Sequence, residues 1–382
     1  MAARLAPHDV SRTHQSLHHL VADAPWNDEE MLAQVRRTVL TTMQKHGPVV
    51  AWIVDDTGFP KQGKHSVGVA RQYCGQIGKQ DNCQAAVSLS VSTWGASLPI
   101  AWRLYLPEVW CQDSARRQQA GVPEGIEFQT KPEIALQQIR KAVEQKVAVG
   151  VVLADAGYGN GTPFRTALTQ LGLSYIVGIE SSTTVWEPGQ QPLPAPPRKP
   201  GRGAAPKCLQ RNAGHQPIAV KQLALSLPSS VWKDIAWRPG SQGTLRSRFA
   251  AVRVRPAHRD EKRSVPHPEE WLLIEWPKEE SEPTKYWLST LPVRTLLKSL
   301  VKIAKHRWII ERDYEELKQE LGLGHYEGRS WRGFHHHATL CIAAYGFLIS
   351  ERNRFSPSAR AGHAGLSAPE PPTDFRPRGS PC

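Results

Sequence analysis

Hydrophobic positions along the chain fall into two patterns. Short unbroken apolar runs, too short for helices and bounded by turn residues, read as buried strands. The first is Val49-Val50-Ala51-Trp52-Ile53-Val54, held between Gly47-Pro48 and Asp55-Asp56. Gln84 to Thr93 and Leu98 to Leu106 alternate as two more, and the short Gly95-Ala96-Ser97 turn between them predicts an antiparallel hairpin. Val147 to Ala154 and Ser174 to Ile179 are two further buried strands. Between these, helical spacing runs from Lys131 to Glu144 through Ile134, Ile139 and Val143, and again from Pro163 to Leu171. Upstream, Asn27 is placed to cap a helix through Leu32, Val35, Val39 and Met43, with acids in its first turn. Downstream, helices are predicted from Leu296 to Leu323 and from Trp331 to Glu351.

The composition shifts after Ile179. Residues 186–217 are rich in proline, glycine and basic side chains and predict an extended or disordered loop. Short alternating runs follow at Ala250 to Val254, Trp271 to Trp276 and Tyr286 to Thr290, with Trp232, Trp237, Trp271, Trp276 and Trp287 among them, and predict a β-rich insertion. The resulting order has three antiparallel strands, then two strands joined in parallel through helical crossovers. That is an α/β chain with the order of an RNase H-like mixed sheet flanked by helices, interrupted by the insertion. The expected divisions are a helical segment over 1–48, a core in two parts over 49–180 and 293–353, the insertion over 181–292, and a disordered tail over 354–382, rich in proline, glycine and serine.

Charge adds a partner class. Lys and Arg number 48 against 35 Asp and Glu, a formal net charge of +13, which suits a polyanionic partner but is shared by ribosomal and membrane-surface proteins. Six scattered cysteines include no Cys-x-x-Cys pair, so no zinc ribbon is indicated, and they read as reduced thiols of a cytosolic protein. Neither a signal peptide nor an apolar run of membrane-spanning length is present in the sequence.

The candidate chemistry rests on acids delivered by these elements. Asp55 or Asp56 ends the first strand, Asp155 ends the fourth, and Glu311 lies on the helix after the insertion, on one stripe with Arg307 and Lys318. Alternation along a strand lets only one of Asp55 and Asp56 face a site. In this topology the first and fourth strands are central neighbours, and the C-terminal ends of such strands are where open α/β sheets build sites. Carboxylates brought that close repel unless a cation joins them, and Mg²⁺ or Mn²⁺ suits oxygen-only ligands. Two ions roughly 3.5–4 Å apart would clamp the attacking and leaving oxygens of a phosphoryl displacement. Each aspartate alone reads better as a turn or cap residue, and the stripe alone as a solvated face. The joint occurrence favours a site. Lys61, Lys64 and Arg71 follow the first acid, and Arg329 follows the last helix of the set, as phosphate contacts or as solvated surface. Trp331 and Trp287 read as core, and His335-His336-His337, pointing to different faces, as non-ligands.

A family resemblance gathers these blocks. The stretch Val54-Asp55-Asp56-Thr57-Gly58-Phe59-Pro60-Lys61-Gln62-Gly63-Lys64-His65 and its continuation to Tyr73 resemble the first-aspartate block of bacterial insertion-sequence transposases of the DDE type. Val152-Leu153-Ala154-Asp155-Ala156-Gly157-Tyr158-Gly159 resembles their second block, and Arg307-x₃-Glu311-x₆-Lys318 the Arg, Glu and Lys of the signature in the branch with a β insertion. The resemblance covers roughly residues 51–348. It implies Asp55, Asp155 and Glu311 as catalytic metal ligands, with Asp55 preferred over Asp56, and Arg307 and Lys318 as phosphate contacts near a transposon end. It further implies Mg²⁺ or Mn²⁺ as a pair of ions, DNA ends and target DNA as substrates, a homodimer on DNA, and residence with the nucleoid in a bacterial cytoplasm. The signature tyrosine falls at Ala304, and Tyr314 is the candidate to replace it. The family carries a longer N-terminal DNA-binding region than residues 1–48 provide, so an N-terminally truncated chain is expected. The alternatives are a transposon-derived protein that binds ends without cutting and an RNase H-like DNA nuclease without transposition.

Overall fold

The computed structural model describes residues 7–197, 207–240 and 243–355. Helices α1 (Val10–Ala22) and α2 (Asp28–Gln44) come first. Asn27 caps α2 as its sequence position suggests, accepting from the Glu29 and Glu30 amides at 2.9 and 3.2 Å. The core strands are β1 (Ala51–Pro60), β2 (Ala70–Cys74), β3 (Lys79–Ser92), β4 (Ser97–Leu104), β5 (Val151–Ala154) and β6 (Tyr175–Ile179). Between them lie α3 (Lys131–Glu144), the short α4 (Ala156–Gly159) and α5 (Thr162–Gln170).

β1 is the centre of the sheet. Ala51, Trp52, Ile53 and Val54 are all fully buried, as a strand covered on both faces must be. It pairs antiparallel with β3 from Ala51↔Ser92 to Pro60↔Cys83 and parallel with β5 from Ala51↔Val151 to Ile53↔Leu153. β4 joins β3 antiparallel and β6 joins β5 in parallel. The five-strand order β4-β3-β1-β5-β6 is the RNase H-like mixed sheet, flanked by helices. Side-chain alternation splits the helices between its faces. Gln138 of α3 donates to the Val87 carbonyl at 3.0 Å on one side. Tyr314 meets the Ser88 hydroxyl at 2.7 Å on the other.

The insertion contributes β7 (Thr184–Trp186), β8 (Ile218–Ala219), β9 (Lys233–Gly240), β10 (Gly243–Pro256), β11 (Glu270–Trp276) and β12 (Lys285–Ser289). It is not a separate layer. β12 pairs antiparallel with β6, and the sheet continues β6-β12-β11-β10-β7-β8, with β9 also on β10. β6 would otherwise present an open edge, and the insertion closes it. After the insertion come helices α6 (Leu297–His306), α7 (Ile309–Gln319) and α8 (Trp331–Phe355). α8 packs on α2 and β4, and α6 on β9 and β10.

Four expectations change. β1 does not end at Asp55 but runs on to Pro60, because β3 is long enough to pair the whole of it. β2 is an added strand, with no clear apolar pattern of its own; it pairs with the early part of β3. The helix predicted from Leu296 to Leu323 breaks at Arg307-Trp308. There the Trp308, Ile310 and Glu311 amides reach back three residues instead of four, tightening the turn. The Arg238 guanidinium stacks 3.4 Å from the centroid of the Trp308 ring, and this contact holds the turn against the insertion. Finally, the proline-rich segment is anchored on both described flanks, while residues 198–206 within it, and the tail beyond 355, lie outside the described residues.

The anchor is an ion pair. Asp260 is wholly buried, accepts the Trp186 indole N–H at 2.5 Å and pairs with the Arg211 guanidinium at 2.5 and 2.9 Å. Removing the cation would strand a buried carboxylate, which costs about 3–5 kcal/mol for a fully buried pair. The Arg211 side chain is 26% exposed, so solvent reduces that figure. Arg211→Ala should therefore lower stability by about 2–3 kcal/mol in chemical denaturation, and Arg211→Lys by less.

Candidate active site

The β1–β5 ladder stops at Ile53↔Leu153, and β5 itself ends at Ala154. Beyond that point β1 has no neighbour on the β5 side. Asp55 and Asp155 both fall at this opening. Asp155 caps α4 and accepts the Gly157 amide at 2.9 Å. Two glycines let the turn settle there. A Cβ on Gly178 of β6 would stand 2.8 Å from the Ala156 nitrogen, and one on Gly159 only 2.2 Å from the Gly178 oxygen. Backbone touches backbone at both places, so neither position has room for a side chain.

One cation serves both acids. Arg307 Nη2 lies 2.9 Å from Asp55 Oδ1 and 3.6 Å from Asp155 Oδ2. Asp55 is 8% exposed, whereas the Asp155 side chain keeps 46% of its surface. Burial pushes the Asp55 carboxyl up to about 7; Arg307 opposes that rise, and the negative charges of Asp155 and Asp56 add to it. For Arg307, burial works against the charge, but Asp55, Asp155 and Glu311 together outweigh it and hold its pKa above the usual value. Its Nε is buried without a partner among the described residues.

Asp56 faces the opposite side of β1. Lys131, in the first turn of α3, reaches it at 2.6 Å, and the Tyr158 hydroxyl donates to it at 3.0 Å. Neither Lys131 nor Tyr158 stands out as a site residue in the sequence. Tyr158 lies within the Asp155 block, which is a usable signal; nothing around Lys131 marks it. Tyr314 is buried beside Asp55, with its hydroxyl on Ser88, while Ala304 packs in the core at 6% exposure.

The other expected site residues divide. Glu311, in the first turn of α7, is exposed, and its charge is felt at Arg307 without joining the two aspartates. Among the described residues, no three acids, histidines or cysteines stand close enough to share one ion. Lys318 turns to the Gly58 carbonyl at 2.8 Å and the Gln76 side chain at 3.1 Å, and burial lowers it to about 8. The Lys61 side chain is 6% exposed, donates to the Tyr326 carbonyl and lies 3.8 Å from Glu327. Lys64 and Arg329 remain exposed, on loops joined by the Val67 amide and the Arg329 carbonyl. Trp331 and Trp287 are each 9% exposed and pack in the core. His335 is used internally, its Nε2 accepting the Leu104 amide at 3.2 Å.

An oxygen-only pair short of positive charge fits a hard divalent cation. Here the Arg307 guanidinium holds the place of that charge. Asp55 and Asp155 meet the requirement as they stand; Glu311 would have to turn inward to complete the set.

An RNase H-like sheet with two aspartates at the broken β1–β5 ladder suits metal-assisted chemistry on a phosphodiester. Consistent with this, residues 1–244 match the family described as DDE superfamily endonuclease, and the chain belongs to it. That match includes Asp55 and Asp155 and stops before Glu311. Endonucleases of this superfamily generally use divalent metal ions. The chain is also 36% identical over 169 residues to a probable transposase for insertion sequence element IS701 from Microchaete diplosiphon, a match covering 44% of this chain and 41% of that relative. Among the described residues no helix is long and apolar enough to cross a membrane.

The Asp55 shift has a definite sign. Its folded value of about 7 lies well above an aspartate's ordinary 3.8, so the folded state binds this proton more tightly. The protonated group favours folding, and that contribution is lost as pH rises from about 4 to about 7. In metal-free buffer, Asp55→Asn should gain in melting temperature over the unsubstituted chain across that window and level off above it. A difference that stays flat with pH would place Asp55 in a solvated setting.

Proposed function

We propose that this chain is an insertion-sequence transposase that nicks transposon ends and joins the freed 3′-hydroxyl to target DNA. The observation that carries the reading is the single guanidinium of Arg307 shared by Asp55 and Asp155 at the opening of the sheet. The likeness to the IS701 transposase supports the substrate.

In this reading Asp55 and Asp155 would hold the divalent metal, Mg²⁺ or Mn²⁺ and two ions in all, with Glu311 completing the donor set. The metal would supply Lewis acidity to an in-line phosphoryl displacement. Asp56 is already engaged by Lys131 and Tyr158, which supports Asp55 as the ligand. Arg307 has the double role that its geometry suggests. Without DNA it neutralises the acid pair. With DNA its unpartnered Nε and strong fork suit a phosphate, and leaving the aspartates frees their oxygens. Lys64 and Arg329 are exposed and suited to phosphates; Lys318 and Lys61 instead tie α7 and the loop after β1 to the core. The chain acts as a homodimer on paired ends, in the bacterial cytoplasm with the nucleoid.

The exposed Glu311 favours one competing reading, a transposon-derived protein that binds ends without cutting them. Purified protein with Mn²⁺ and labelled terminal repeats separates the two. Nicking at the ends supports the transposase, and a mobility shift without nicks supports the binding protein. Equal cutting of DNA without repeats would make it a general nuclease. Asp155→Asn should retain binding and lose nicking by at least about a hundredfold, since metal stabilisation of the transition state is worth several kcal/mol.

Arg307→Gln separates metal from DNA. Calorimetry without DNA should show Mn²⁺ binding tightened by at least about tenfold, because a competing charge at the acid pair is gone. Affinity for the ends should fall in the same variant. Unchanged Mn²⁺ binding would remove Arg307 from the acid pair.

A further inference from the structure

Beside the acid site, but not part of it, lies a groove of about 1040 Å³. α3 and α5 form one wall, and the loop between β10 and β11 forms the other. Its near end approaches the Asp155 turn along α5, and meets the Asp56 face of β1 along α3. Gln129 and Glu133 flank Lys131, which holds Asp56, and Thr162 and Pro163 open the helix that follows the Asp155 turn.

Four cations, Arg140, Arg259, Lys262 and Arg263, line this groove. All four are exposed, and none forms an ion pair among the described residues. The acids nearest in sequence to Arg259, Lys262 and Arg263 are engaged elsewhere: Asp260 and Glu261 by Arg211, and Glu269 by Arg255 at 3.4 Å. Of the acids in the lining, Glu133 is taken by the Thr130 amide and hydroxyl at 2.7 and 2.8 Å, leaving Glu127 as the free one. Beneath the floor, Arg165 is 4% exposed and donates to the Gly159 and Asn160 carbonyls. Its charge reaches the lining. Burial lowers the pKa of both His258 and His267, and Arg165 lowers each further.

The loop wall is also built under constraint. Arg259 adopts φ +53°, a left-handed conformation uncommon outside glycine and asparagine, and it opens the single turn that carries Lys262. The lining has Phe128 as its one phenyl, phenol or indole ring, so it lacks the stacking platforms a single strand would use. Exposed cations on both walls with few aromatic faces match a duplex phosphate backbone.

We propose that this groove binds the DNA duplex flanking the cut position, through its phosphates and without reading its bases. The inference rests on the transposase reading above and adds the path the DNA takes away from the acids, across the junction between core and insertion.

The test is the salt dependence of binding, measured by fluorescence anisotropy on a labelled duplex that carries a terminal repeat and its flank. Removing one phosphate-binding cation lowers the slope of log K against log salt by about 1. The double variant Arg259→Asn/Lys262→Gln, with asparagine chosen because it tolerates the left-handed backbone, should lower that slope by about 2. The unsubstituted chain should show the same drop when the flank is removed from the duplex, and the variant should then drop no further. An unchanged slope in the double variant overturns the groove. So does an equal drop in the control Arg294→Gln/Lys298→Gln, which removes two exposed cations at the start of α6. Failure of the unsubstituted chain to bind either duplex would instead bring down the transposase reading itself, which keeps the two failures apart.

Discussion

Two carboxylates at one opening in a sheet pose a charge problem, and the surrounding structure is arranged around its solution. Asp55 lies where burial disfavours its charge, and Asp155 adds repulsion. A single guanidinium answers both. Placing it there requires the chain to cross the full insertion, return as α6, and break into α7 within one tight turn. A straight helix through Arg307 would carry that side chain along a regular stripe with Glu311 and Lys318. The break releases it from that stripe. Arg307 meets the acids, Glu311 faces solvent, and Lys318 anchors on the β1 backbone.

Much of this frame is legible in the amino-acid order alone. The apolar runs mark the central strands because a strand buried on both faces has to be continuously hydrophobic. The parallel β5 and β6 follow from intervening helical spacing, and Asn27 from the donors that an N-terminus leaves open. What is not legible has a common cause, which is tertiary pairing. The extension of β1 beyond Asp55 depends on β3, whose length the alternation from Gln84 understates. The break at Arg307-Trp308 lies in a sequence with sound helical periodicity; Arg238, from the insertion, competes for Trp308. Lys131 reaches Asp56 across 75 positions of chain, and no local pattern signals such a partner.

The approach of Asp55 to Asp155 is legible in the sequence, and the outward placement of Glu311 is not. Asp55 and Asp155 come together as strand-end reasoning suggests, although Asp55 is mid-strand and is exposed to the site by the early end of β5. Basic residues are harder to sort. Lys61 and Lys64 look alike in sequence, yet one side chain is buried against Tyr326 and the other is in solvent. A lysine's long apolar stem allows either outcome, and the neighbouring carbonyls decide.

The join between insertion and core has a mechanical consequence. Lys305, two residues before Arg307, is enclosed by Trp237, Phe249 and Trp287 and paired with Glu275 at 2.5 Å, while Trp308, just after Arg307, is clamped by Arg238. Arg307 is thus suspended between two grips that both belong to the insertion. The lobe that looks like an accessory to the sheet acts as the handle of the guanidinium, and its tilt sets where that charge is aimed.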